Sequence, residues 1–321
     1  AATPLAAAVA LGTVLALAAG EAAGSCPAGQ AGCAKSTYTG RFDGTERGQS
    51  DAGAAEELRA AEGSRGKTAA RWSILSERIE GLTRELYMVV NSVDPYLRSQ
   101  STAEGPAMRA IREAMETTDW QGLWDAQKTM FSYGSEMSTD PIEAMFLKML
   151  VYMKGPKRVL EVGMFVGYGA MAMAEALPED GRIVSLEIDP YLKEWVEKVS
   201  AKRPEGKKHE IIVGPALESI AGLPAGQQFD LVFLDANKAE YRRYVEVLIE
   251  RELLAPGCML VADNVLYNGY PYLSDTYDTQ PSRRGFGDAV REFNDWVRTH
   301  PRLEQVILPI RDGVSLIRLK A

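Results

Sequence analysis

From about Ile142 to the carboxyl end, short apolar runs alternate with amphipathic segments, and this alternation restricts the fold more than any other feature of the chain. "KRVLEVG", "GRIVSLEID", "HEIIVG", "FDLVFLDA" and "GCMLVAD" have the length and composition of buried strands. "MFLKMLVYM" precedes the first as a helix, and "MAMAEAL", "YLKEWVEKVSAK", "LESIAGL" and "AEYRRYVEVLIERELL" separate the rest. After the helix "DAVREFNDWVRTH", two closing strands, "EQVILPI" and "VSLIRLK", are joined through "RDG" and read as an antiparallel edge hairpin. Strands that alternate with helices call for a parallel sheet covered on both faces. The expectation is an α/β fold: a doubly wound, mostly parallel seven-stranded sheet with helices on both faces. Such sheets bind ligands beyond the carboxyl ends of their strands. The loops after Val162, Leu186, Val213, Leu234 and Ala262 therefore share one rim.

Composition removes several chemistries from that rim. A net charge of −8 argues against a grip on nucleic-acid phosphates. Two histidines, His209 and His300, and three cysteines argue against a zinc site and against most Ser-His or Cys-His triads. A metal here would be held by oxygen.

The first rim loop, "EVGMFVGYGAM", carries Gly163, Gly167 and Gly169, a spacing unlike the dinucleotide fingerprint G-x-G-x-x-G. Gly163 would still let a ligand approach the backbone, and the helix start beyond it offers N–H groups. Glu187 ends the second strand, where a carboxylate can accept from two ribose hydroxyls. A solvated strand-end acid before a helix start at Asp189-Pro190 is the plainer alternative. Loop and acid together favour an adenosine ligand without a pyrophosphate, S-adenosylmethionine rather than NAD. At the ends of the fourth and fifth strands stand Asp235, with Lys238 after it, and the pair Asp263 and Asn264. Two carboxylates and an amide oxygen suit Mg²⁺ or Ca²⁺. As helix caps or solvated acids each fits singly, but the pair on adjacent strands fits poorly.

These residues lie in motifs that resemble the cation-dependent O-methyltransferases of the caffeoyl-CoA and catechol type. "LEVGMFVGY", "ALPEDG", Asp235-x-x-Lys238-x-x-Tyr241, "DNVLYNG" and "LPIRDG" carry the resemblance, which extends from about Leu82 to Lys320. It implies a class I methyltransferase fold, Rossmann-like, and S-adenosylmethionine as methyl donor. Asp235, Asp263 and Asn264 would hold a divalent cation, Mg²⁺ by expectation. Lys238 would be the general base, or the group that keeps the acceptor hydroxyl deprotonated. Glu161, Gly163, Tyr168 and Gly169 would line the methionine end of the cofactor, Glu187 its ribose and the backbone at Ala216 its adenine, with Asp235 facing its ammonium group. The acceptor would be a hydroxyl of a catechol-like or caffeoyl-type small molecule. Three departures stand out: Gly169 replaces a serine, "IEAM" keeps only Glu143 of "DEGQ", and "DANK" puts Asn237 where an acid is usual. The segment "YPYLSDTYDTQPSRRGFGD" reads as a lid, with Tyr270, Tyr272 and Tyr277 free to stack on a phenolic ring or to pack the loop.

The amino-terminal third is organised differently. Residues 1–20 are uncharged and lack an initiator Met, which a processed amino terminus would explain. The run suits a membrane anchor, a leftover translocation segment or a helix docked on a protein partner. Residues 21–55 read as a Gly/Ala/Ser-rich linker in which Cys26 and Cys33 could close a disulfide loop or remain thiols. Residues 56–141 read as helices, with Gly63 and Gly66 as breaks, and 142–321 as the methyltransferase domain. A homodimer through the amino-terminal helices is compatible with the resemblance. The expectation for setting is an organelle, a plastid membrane if a transit peptide has been removed; a cytoplasmic setting is the other option. The reading from a different class is a methyltransferase-fold structural subunit of a larger membrane-bound assembly.

Overall fold

In the computed structural model, the residues described are 65–273 and 280–320, with side chains from Ser76 onward. The chain divides into two units between Ser92 and Val93. In the first, the described residues form most of a helix, α1, which runs Arg65–Gln100. Gly66 does not break it: the residue falls in the first helical turn, where backbone N–H groups lack partners in any helix. The segments 1–20 and 21–55 lie outside the described residues, as do Gly63, Cys26 and Cys33. No helix among the described residues is long and apolar enough to cross a membrane.

The second unit is built on seven strands: β1 Arg158–Val162, β2 Arg182–Glu187, β3 His209–Val213, β4 Phe229–Leu234, β5 Leu254–Ala262, β6 Leu303–Leu308 and β7 Val314–Leu319. Their order is β3-β2-β1-β4-β5-β7-β6. The first five pair in parallel, and β7 runs antiparallel between β5 and β6. Fold class and edge hairpin thus match the sequence pattern. The strand interiors of β1, β2 and β4 are almost wholly buried, as a sheet covered on both faces requires.

Among the described residues, eight further α-helices accompany the sheet: α2 Pro106–Glu116, α3 Trp120–Asp125, α4 Pro141–Lys154, α5 Tyr168–Ala176, α6 Pro190–Ser200, α7 Ala216–Gly222, α8 Tyr241–Glu250 and α9 Arg284–Thr299. Side-chain alternation along the strands splits the core into two layers. Val159, Ile183, Leu231, Phe233 and Val261 pack with α2, α4, α5 and α6. Leu160, Val162, Val184, Val232 and Leu260 face the other way, onto α7, α8 and α9. The chain leaves β1 toward β2 and β3, then returns to β4 on β1's other side. In sheets of this kind ligands bind at that reversal, beyond the carboxyl ends of β1 and β4.

Candidate active site

Register aligns the predicted residues. Val162 pairs with Leu186 and with Leu234, and Leu234 pairs with Ala262. Gly163, Glu187, Asp235 and Asp263 each follow one of these, so all four leave the sheet at the same level. Gly163 has φ of 89°, and a Cβ on it would stand 2.3 Å from the Asp235 carbonyl oxygen. Only glycine fits there.

On the β4–β5 side, the Lys238 ammonium donates to Asp235 Oδ1 at 2.7 Å and to the Tyr241 hydroxyl at 2.7 Å. That hydroxyl lies 3.0 Å from the Leu234 carbonyl and 3.2 Å from the Asp263 carbonyl, so it ties both strand ends to the lysine. Burial opposes charge on Lys238, but the neighbouring Asp235 and Asp263 outweigh it and hold the ammonium well above its ordinary range. Asp263 Oδ1 accepts the Asn264 N–H at 2.5 Å, and Asn264 sits in the left-handed region at φ 56°.

Glu143, the surviving acid of the "IEAM" segment, reaches this corner from the first turn of α4. It is buried, and its Oε1 has no hydrogen-bond partner. Burial and the charge of Asp263 push its carboxyl well upward, while burial and the charge of Asp235 push Asp263 upward. Its sequence signal was an acid inside an otherwise apolar helical face. The crowding fits a cation: hard oxygens, mutual repulsion and an orphaned buried acceptor are what a divalent ion would relieve. No cluster of three or more acidic, histidine or cysteine side chains able to hold an ion occurs among the described residues.

On the β1–β2 side, Glu187 Oε2 accepts from the N–H groups of Met164 and Phe165, and Oε1 from that of Asp189. Burial still raises its carboxyl, against these three donors. Phe165 is held at φ 50°, its ring 5.2 Å from Tyr133 and 5.5 Å from Trp120. Glu161 is 1% exposed, and burial lifts it to about 8. Gly169 lies beside it: a Cβ at 169 would stand 3.3 Å from both Glu161 Oε1 and Thr139 Oγ1. Ala216 opens α7 beyond β3, where Gly214 donates to the Glu187 carbonyl at 2.9 Å. Tyr168 is turned elsewhere: its hydroxyl donates to Glu104 Oε2 at 2.8 Å. Its hydroxyl is thus committed to Glu104, and its ring lies in the buried core.

The tyrosines of the segment read as a lid from sequence divide. Tyr270 is buried, and its hydroxyl both donates to the Gln280 carbonyl and accepts the Gln280 N–H. Tyr272 is exposed, and Tyr277 lies outside the described residues.

The point where strand order reverses in this seven-stranded sheet thus carries an acid at the end of β2 and a lysine-carboxylate cluster just beyond β4 and β5. Residues 122–320 match the family described as O-methyltransferase. O-methyltransferase ankF of Aspergillus thermomutatus is 34% identical, over 72% of this chain and 94% of its own length. Caffeoyl-CoA O-methyltransferase 2 of Zea mays is 32% identical, over 73% and 82% respectively. Among solved structures, the S-adenosylhomocysteine-bound methyltransferase PaMTH1 of Podospora anserina superposes with a TM-score of 0.60 at 28% identity, covering 72% of this chain and 95% of that one. The O-methyltransferase TomG of Streptomyces achromogenes, in complex with S-adenosylmethionine, gives 0.57 at 25% identity, covering 72% and 96%. The chain belongs to the O-methyltransferase family.

Proposed function

We propose that this enzyme methylates one hydroxyl of a catechol-like or caffeoyl-type acceptor, with S-adenosylmethionine as donor and a divalent cation, Mg²⁺ in the first instance, as helper. Convergence of Asp235, Asp263, Lys238 and Tyr241 on the rim beside Gly163 carries the reading. Asp235, Asp263 and Asn264 would hold the cation, whose chemistry when bound is to lower the pKa of the acceptor hydroxyls and orient them. Glu161, Gly163 and Gly169 would bound the methionine end of the donor, with Tyr168 contributing its ring and backbone. Glu187 would take the ribose through the lone pairs its three N–H donors leave, and Ala216 would border the adenine.

Lys238 does its work as a cation. Its ammonium is held charged by Asp235, so it stabilises an ionised acceptor oxygen rather than waiting as a neutral base. Such an oxygen then needs only to be placed in line with the methyl carbon, which makes positioning the main source of rate.

The test is methyl transfer to a panel of catechols and caffeoyl thioesters, with Mg²⁺ and with chelator, in wild type and Asp263→Ala. The expected result is turnover that chelator removes and that Asp263→Ala lacks. A wild type that neither turns over nor binds S-adenosylmethionine overturns the reading.

A further inference from the structure

Behind Glu161 stands a hydrogen-bonded chain that the reaction itself does not call for. Ser185 Oγ, wholly buried on β2, donates to Glu161 Oε2 at 2.5 Å. His209 Nε2, at the start of β3, lies 2.8 Å from the same Ser185 Oγ. The three side chains cross three adjacent strands, β1, β2 and β3. Register places Glu161 opposite Ser185, and Ser185 two places along β2 from Ile183, the partner of His209. The other oxygen, Oε1, makes no hydrogen bond with a described residue, and a Cβ on Gly169 would stand 3.3 Å from it.

We infer that Ser185 and His209 are positioning residues for the donor: they anchor one oxygen of Glu161 so that the other is presented to the ammonium group at the methionine end. The inference rests on the cofactor role proposed for Glu161. The hydrogen-bond logic is restrictive. A serine hydroxyl has one proton, and when Glu161 is ionised that proton belongs to the carboxylate. Ser185 Oγ must then accept from His209, which fixes the ring as its Nε2–H tautomer. Burial and the Lys193 charge push His209 down to about 3, so the ring is neutral and has a tautomer to choose. A glycine at 169 is consistent with this arrangement, because a side chain there would crowd Oε1 at 3.3 Å.

Calorimetry with two probes separates positioning from mere packing: S-adenosylhomocysteine, and the same thioether lacking the α-amino group. Wild type should prefer the amino-bearing probe. Ser185→Ala and His209→Leu should lose about ten-fold of that preference, the size expected for one charge-assisted hydrogen bond. Affinity for the deaminated probe should be unchanged. His209→Gln, which keeps an N–H donor, should retain most of the preference. Nitrogen-15 NMR of the wild-type complex should show His209 protonated at Nε2, a readout that does not depend on any variant folding. Equal preference in wild type and Ser185→Ala, or an Nδ1–H tautomer in the complex, overturns the inference. Failure of wild type to bind S-adenosylhomocysteine instead overturns the cofactor reading beneath it.

Discussion

Single residues at the rim carry opposite electrostatic loads, and each has a measurable signature. Glu161 is lifted from 4.5 to about 8 by burial, so its neutral form is the one the unliganded fold favours. A group with a raised folded-state pKa contributes stability that is present below its unfolded pKa and lost as pH rises through the folded one. Unliganded wild type should therefore lose a few kcal/mol of stability between about pH 4.5 and 8 from this residue. Glu161→Gln should flatten that slope, visible as a melting-temperature gap that widens in the variant's favour from pH 5 to pH 8.5. Lys238→Met should leave donor binding nearly intact and lower kcat by about 10²-fold or more, because it removes the charge opposite the acceptor oxygen. A Lys238→Met enzyme with normal kcat would contradict the role given to the ammonium. Gly163→Ala should cost roughly 1–3 kcal/mol in stability and abolish donor binding, since both φ and the Asp235 carbonyl exclude a Cβ.

At the scale of elements, the β6–β7 hairpin does more than close the sheet edge. Its turn receives the N–H of Val265 on the Gly313 carbonyl, that of Leu266 on the Asp312 carbonyl, and that of Asn268 on Asp312 Oδ1 at 2.7 Å. These bonds fix the loop that follows Asp263 and Asn264. Asp312→Ala should thus weaken divalent-ion binding by about five-fold, the effect of one lost hydrogen bond, while the melting temperature moves little. Isothermal titration with Mg²⁺ in wild type and variant measures it; identical affinities would show that the loop holds itself. The same hairpin sends Arg311 to Asp94 at 2.6 Å and toward Asp140, the N-cap of α4, at 3.5 Å. The helix that delivers Glu143 is thereby tied to the sheet edge. Sequence periodicity announced the hairpin as strands and a turn. It did not announce these ties, because each joins residues far apart in the chain.

Over the whole molecule, the site lies where two core layers and the reversal of strand order meet, so donor binding is linked to global stability. S-adenosylhomocysteine at about a hundred times its Kd should stabilise the fold by roughly 2.7 kcal/mol and raise the melting temperature by several degrees. No shift at that concentration would mean the strand-end rim does not take the nucleoside.

What the sequence determined alone follows from local physics: apolar period, turn residues and strand-end acids are written residue by residue. They sufficed for the doubly wound sheet, for the common rim and for Asp235, Asp263 and Asn264 just beyond adjacent strands. Only the tertiary structure brought Glu143 from α4 against Asp263, turned Tyr168 toward Glu104, committed Tyr270 to the loop and lined up Glu161, Ser185 and His209 across three strands. Each of these depends on where a side chain points once distant elements pack. Packing direction is set by the whole core and by no short stretch of chain.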